Sequence, residues 1–335
     1  MVHNARRRWP ASLRTATVVV AAAAGGGGPA GAASAPKYLS YFGTNVSAQH
    51  EWLNLAIAAY DQSNPYPSHD AVDDRVADEF FAHGIPSLIP MPQQGVYSRP
   101  RWDKTGKVIQ GGGLVSGWEA TLERFAASRV LPRMKNGTAA GVFVGDEICC
   151  HNTSCWRGQL YPISAKLRAL LGPRALLYEN ECIDSYMGGV RAGPPLDKTA
   201  PDLNLVSVDL YRGYTPTDRN GTVEAVKARK FAETEIYPRL HDHQRIMAVP
   251  GTFACSNASF MPLEDSIHSV AEKVRAYFEW IKEDSRVAGL CPWHFNDRHK
   301  LQAHGSCDLE IGAISMPPVL RELREIGAWI KAQAL

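Results

Sequence analysis

The 335-residue sequence has almost no net charge: 36 Lys and Arg stand against 34 Asp and Glu, giving +2 at pH 7. That balance supplies no basic field for a nucleic acid, and no Lys/Arg-rich run follows the first 14 residues. No apolar run is long enough to span a bilayer, so neither nucleic acid nor membrane is an expected partner. A Gly-x-Ser-x-Gly elbow is missing, which argues against a serine hydrolase. The segment Tyr41-Phe42-Gly43-Thr44-Asn45, after the first strand candidate, is not the glycine-rich phosphate turn of an open dinucleotide-binding sheet. There is no internal repeat and no Cys-x2-Cys pair of the kind that holds zinc.

What is present is ordinary globular material, 45% apolar and 21% charged, enough for one large α/β domain. The N-terminus differs from the rest. Arg6, Arg7, Arg8 and Arg14 precede Val18-Val19-Val20 and Ala21 to Ala24, and Ala33-Ser34-Ala35 has the small-residue pattern of a cleavage site. Residues 1–35 therefore read as a secretory signal peptide, and residues 36–335 as the mature domain. Five Asn-x-Ser/Thr sequons, at Asn45, Asn136, Asn152, Asn220 and Asn257, agree with a secreted glycoprotein. In an oxidising compartment the seven cysteines favour disulfide bonds over metal ligation. Six of them, Cys149, Cys150, Cys155, Cys182, Cys255 and Cys307, follow strand candidates, whereas Cys291 lies inside one and is expected to be the free thiol. The competing zinc site from Cys149, Cys150, His151 and Cys155 lacks a standard spacing.

Eight short apolar runs, each bounded by polar, Gly or Pro residues, predict strands buried on both faces. They are 38–43, 53–58, 86–90, 141–145, 175–178, 205–209, 246–249 and 287–292. Helical periodicity predicts helices over 71–83, 118–127, 163–171, 223–240, 267–283 and 319–334, with irregular links after the first and fifth strands. The expected fold is an α/β (β/α)8 TIM barrel, a single domain after the signal peptide.

In such a barrel the functional groups sit at the C-terminal ends of the strands. The fourth run, Gly141-Val-Phe-Val-Gly145, ends in Asp146-Glu147. The fifth leads into Glu179-Asn180-Glu181, the sixth delivers Asp209 and Tyr211, and the eighth ends in Trp293-His294. The second and third contribute Asp61, Gln62, Gln93 and Gln94. Acids, amides and aromatic rings on one rim suit a sugar: rings stack on its C–H face and polar groups bind its hydroxyls. Glycoside hydrolysis needs one carboxylic acid to protonate the leaving oxygen and a second group to act at the anomeric carbon. Glu147 is assigned as the proton donor. Asp146 either favours its protonated form by like-charge repulsion or orients a substrate group. Asp209 and Glu181 compete as the partner. Tyr211, Trp293, His294, Asn180 and Gln93 are the candidate sugar contacts. His241-Asp242-His243 lies before the seventh strand, on the opposite rim, and reads as a solvated helix end.

These residues resemble those of secreted TIM-barrel glycoside hydrolases. Gly145-Asp146-Glu147-Ile148 is similar to the core of the β-hexosaminidase motif, in which the Glu is the acid and the Asp steadies the substrate's acetamido group; Phe143 stands where that motif has His or Asn. Glu147, Asp209, Tyr211 and Trp293 also fall where chitinase-like barrels carry their acid, their Asp/Tyr pair and their Trp, with Gly145 where the chitinase motif has Asp. The seventh strand, followed by Pro250-Gly251-Thr252-Phe253, offers no Glu, so the resemblance implies a substrate-assisted mechanism in which an N-acetyl group is the nucleophile. A secreted monomer acting on carbohydrate without cofactor or metal is the expected protein. A non-catalytic carbohydrate-binding barrel and a metal-assisted esterase or lyase on the same fold are the alternatives.

Overall fold

Strands too apolar to face water on either side bury both faces, and the predicted runs do so in one all-parallel sheet. The computed structural model describes residues 36–42, 46–58, 70–98, 101–102, 108–110, 112–150, 154–188, 193–209, 221–256, 261–299 and 309–333. The sheet contains β1 (Tyr38–Leu39), β2 (Ala56–Ile57), β3 (Ser87–Pro90), β4 (Ala139–Asp146), β5 (Leu176–Cys182), β6 (Leu205–Asp209), β7 (Arg245–Ala248) and β8 (Val287–Leu290). Their order across it is β2-β3-β4-β5-β6-β7-β8-β1. The sheet curls, and hydrogen bonds join β1 to the chain just before β2. Leu55 N–H, beside β2, donates to the Leu39 carbonyl at 3.4 Å, and Leu39 N–H donates to Asn54 Oδ1 at 2.7 Å.

Helices make the crossovers that parallel strands require. The main ones are Asp70–Phe81, Trp118–Phe125, Tyr161–Leu171, Gly221–Phe231, Leu263–Glu283 and Pro317–Gln333. Among the described residues, the links after β1 and β5 hold only the short helices Val46–Gln49 and Ile183–Met187, as the irregular sequence there suggests. Among the described residues, three helical segments contain a π turn, at Ala126–Val130, Trp156–Leu160 and Ala232–Ile236. Each is followed within two residues by a proline, Pro132, Pro162 or Pro238. A proline lacks an N–H and crowds the carbonyl four residues back, so the preceding turn widens.

The curl separates two layers of packing. Phe42, Leu88, Phe143, Tyr178, Met247 and Cys291 belong to a cluster inside the sheet, and the alternate residues Val142, Val144, Leu177, Val206 and Val208 pack outward under the helices. Contacts cross the interior: the Phe42 ring, just past β1, lies 5.7 Å from Phe143 of β4 and 5.8 Å from Trp293 after β8.

Two features depart from the sequence reading. β4 and β5 run farther than expected, because the polar residues Glu179 to Cys182 stay in the ladder, paired with Val206 to Asp209. The segments after β7 and β8 also form a small antiparallel sheet of Phe253–Cys255, Leu309–Gly312 and Arg298–His299. Among the described residues no helix is long and apolar enough to cross a membrane. The expected signal peptide lies outside the described residues, as do the sequons at Asn45, Asn152, Asn220 and Asn257.

Candidate active site

Strand alternation starting from the inward-facing Phe143 would turn Gly145 and Glu147 inward and Asp146 outward. The β4–β5 ladder does otherwise. Phe143 pairs with Tyr178, the next aligned pair is Gly145 with Glu179, and Asp146 then pairs with Asn180. Val144 is the extra residue of a β-bulge, which reverses the alternation and brings Asp146 onto the face of Asn180. Gly145 permits the tight turn that follows: a Cβ there would stand 2.4 Å from Ile148 Cδ1.

Asn180, buried to 1% exposure, sits at the centre of the inward rim. Its Nδ2 donates to Asp146 Oδ1 at 2.7 Å and to Asp209 Oδ1 at 3.0 Å. Its orientation is set from below, since Ser207 Oγ donates to Asn180 Oδ1 and Tyr178 OH lies 2.8 Å from Ser207 Oγ. Burial raises the Tyr178 phenol well above its usual pKa, so it remains a donor at neutral pH. The two hydrogens of an amide diverge by about 120°, so the two aspartate oxygens stand roughly 5 Å apart. Asp146 and Asp209 are half-buried.

Glu147 occupies the turn after β4 with φ of +55°, the only positive φ on a non-glycine among the described residues. A bulky residue in that region costs about 1–3 kcal/mol and persists only where its surroundings hold it. Three successive ties from the turn to the end of β5 do so. Glu147 N–H donates to the Asn180 carbonyl at 2.8 Å, Cys149 N–H donates to Glu181 Oε1 at 2.7 Å, and Cys150 is disulfide-bonded to Cys182. A second bridge, Cys149–Cys155, closes the loop that follows. Cys255 is also disulfide-bonded, and Cys291 is the buried free thiol. A Glu147 carboxylate oxygen and the sulfurs of Cys150 and Cys182 lie within 4.8 Å of one another, but those sulfurs are joined to each other and offer no thiolate to a metal.

Glu181 is fully buried and alternates with Asn180, so its carboxyl lies on the outer side of β5 with Glu179 and Leu177. Burial pushes the Glu181 carboxyl up to about 8, against hydrogen bonds from the Cys149 amide and Glu179 that favour its charged form, while the charges of Glu147 and Asp146 raise it further. Burial thus favours its neutral form, beside the equally buried Glu179.

The other expected contacts are dispersed. Trp293 is half-buried and packs on Phe42 at the inner rim. His294 is fully buried: Nδ1 donates to the Asn296 carbonyl at 2.6 Å, Nε2 lies 3.2 Å from Glu310 Oε2, and the ring stacks on Phe253. Gln93 is half-buried in a 3-10 turn after β3. Tyr211, Asp61 and Gln62 lie outside the described residues. Asp297 ties the chain locally, accepting from Gly312 N–H and Ser315 Oγ. Sequence reasoning missed Ser207, Tyr178 and Glu310. The first two were legible from alternation, because Ser207 shares a face with Asp209 and Tyr178 with Asn180.

No protein-family model matches the sequence, and no curated protein matches it. Solved structures do match. A β-D-glucuronidase from Dictyoglomus thermophilum superposes with a TM-score of 0.54 at 12% identity, over 84% of this chain and 45% of that one. A β-glucuronidase from an uncultured Clostridium sp. gives 0.53 at 12% identity, over 88% of this chain and 51% of that one. A GH5_18 protein from Streptomyces cattleya in complex with GlcNAc gives 0.53 at 11% identity, over 89% of this chain and 81% of that one. The chain thus spans about half the length of the two glucuronidases. At these identities the likeness is one of fold: the curled parallel sheet and its helices are of the TIM-barrel type found in glycoside hydrolases.

Proposed function

We propose that the protein is a secreted glycoside hydrolase acting on an oligo- or polysaccharide, built as one closed (β/α)8 barrel after a signal peptide. The observation that carries this reading is the row Asp146–Asn180–Asp209. Three neighbouring strands present two carboxylates on the inner face, at the C-terminal strand ends, held by one amide. The matching solved structures include glycosidases, which favours sugar over the alternative substrates. Glu147 protonates the leaving oxygen from the turn above. Asp209, on the inner face, is the partner at the anomeric carbon and Asp146 orients the substrate. Trp293 offers a ring face beside them. His294 and Glu181 contribute from behind and do not contact sugar.

A second reading rests on the spacing within the row. Carboxyl groups roughly 5 Å apart are the arrangement of retaining glycosidases, which makes Asp146 and Asp209 the reacting pair and Glu147 an accessory. Single-residue amides separate the two on any glycoside that the wild type hydrolyses. Glu147→Gln lowers kcat by about 10²–10⁴ with unchanged folding under the first reading, because an amide cannot donate the proton. If Asp146→Asn and Asp209→Asn do this while Glu147→Gln does not, the second holds. Binding without turnover across a glycan panel would reduce the protein to a carbohydrate-binding barrel.

A further inference from the structure

We propose that Glu181 is a positioning residue of this site: its carboxyl, set behind the mouth, accepts from the Cys149 amide and thereby holds the turn that carries Glu147. The kinetic part of the proposal rests on the glycosidase reading; the structural part rests on the fold alone.

The geometry is a ladder of three ties between two consecutive runs. Residues 147, 149 and 150 are fastened in turn to residues 180, 181 and 182, by a backbone hydrogen bond, a side-chain hydrogen bond and a disulfide. The second is the tie made to β5 from the middle of the turn. There the Cys149 N–H is buried with its residue at 0% exposure, and the Glu181 carboxyl is the acceptor that meets it. A buried N–H without an acceptor is rare and costly. The turn cannot relax toward the strand, because Ile148 already fills the space over Gly145. Without the Glu181 tie, the turn loses the contact that holds its middle, and Glu147 moves with it.

Position also separates Glu181 from the reacting groups. A partner at the anomeric carbon must reach the inner face, and on β5 that face belongs to Tyr178 and Asn180. Burial favours the neutral form of Glu181, so that it adds no third charge behind Asp146 and Glu147.

The test compares three full-length variants with the wild type. E181Q keeps an acceptor oxygen of the same reach, E181M keeps the volume without an acceptor, and E147Q is the catalytic reference. In E181M, amide exchange at Cys149 is expected to rise about tenfold or more, as for an amide that loses its native acceptor. On a hydrolysed glycoside its kcat is expected to fall about 10–100-fold with KM within about threefold, the mark of a misplaced group and not of lost binding. E181Q is expected to restore both to within about threefold of wild type, since the amide oxygen replaces the acceptor. If E181Q loses turnover as completely as E147Q, Glu181 is a reacting group and the proposal is overturned. If E181M melts earlier but keeps wild-type kcat and Cys149 exchange below its Tm, Glu181 is packing only and the proposal is again overturned. Should E181M not fold, E181Q decides alone: wild-type kcat and exchange support the positioning role, and a loss of either overturns it. Should the wild type hydrolyse no glycoside, the glycosidase reading fails by itself, and the exchange rates still decide whether Glu181 holds the turn.

Discussion

At the ends of β4, β5 and β6 the polar side chains turn inward and share one amide, Asn180, between two acids. At the ends of β7 and β8 they turn into packing. Thr252 is bonded to the Tyr41 hydroxyl, and His294 lies between Phe253 and Glu310 at zero exposure. Both halves of the rim follow strand ends, and both are rich in groups that suit catalysis. The difference is what covers them. A small antiparallel sheet grows from the segments after β7 and β8 and absorbs His294, whereas two disulfides hold the loop after β4 beside the acids. A strand-end position is therefore insufficient to make a residue functional; the face it takes, and what packs over it, decide.

The sharpest way to break this comparison is to neutralise one acid from each half. Asp209→Asn is expected to lower turnover by about 10²–10⁴ while altering stability by about 1 kcal/mol or less, since the amide still accepts from Asn180. Glu310→Ala is expected to destabilise by ~3–5 kcal/mol, because it strands a buried imidazole, and to leave turnover measured well below Tm nearly intact. Urea titration and kinetics on the same preparations check both. Equal kinetic losses would put His294 back in the site and bring Glu310 into it.

Removing the Cys150–Cys182 bridge tests the disulfide-held half. Its loop spans a separation of 32 residues, for which chain entropy predicts about 3–4 kcal/mol of stabilisation. The double serine variant should lose that much in urea, together with turnover. Full turnover would show that the two hydrogen-bonded ties suffice.

Trp293 sits between the halves. Half-buried against Phe42, it is expected to lose about 2–3 kcal/mol of stability as Ala, less than the 3–5 of a fully buried tryptophan, and also to bind sugar more weakly. Calorimetry against an oligosaccharide ligand separates the two losses. A destabilised variant with normal affinity returns Trp293 to the core.

A further effect is one of pH. The folded pKa of Glu181 lies above its unfolded value, at about 8 against 4.5, so the native state keeps a proton that the unfolded chain releases. Its contribution to stability is complete below the unfolded pKa and is lost as pH rises through the folded one, at no more than about 1.4 kcal/mol per pH unit. Glu181→Gln should flatten this alkaline decline. A wild-type stability curve with the same slope as the variant would mean that Glu181 is ionised in the native protein.

Much of the fold is legible in the order of the residues. Eight apolar runs became eight strands, six helical patterns became helices, and the irregular links after the first and fifth strands carry short helices, because burial on both faces and a 3.6-residue period leave direct traces in residue order. The free Cys291 was legible too, as the cysteine within the eighth apolar run, and it is buried just past the end of β8. The small sheet over β7 and β8 was not, since its strands are two to four residues long and draw their stability from the layer beneath.

The site divides the same way. Residue order by itself determined that carboxylates, amides and aromatic rings would collect at the C-terminal ends of the strands, since the strands' apolar content leaves polar groups nowhere else to go. It also determined that Asn180 and Glu181 would point to opposite sides of β5. Only the tertiary structure decided which side was the interior, and only the bulge at Val144 turned Asp146 toward Asn180. A one-residue slip in a ladder inverts every side chain beyond it, and it arises from the partner strand's register, which no pattern within β4 records.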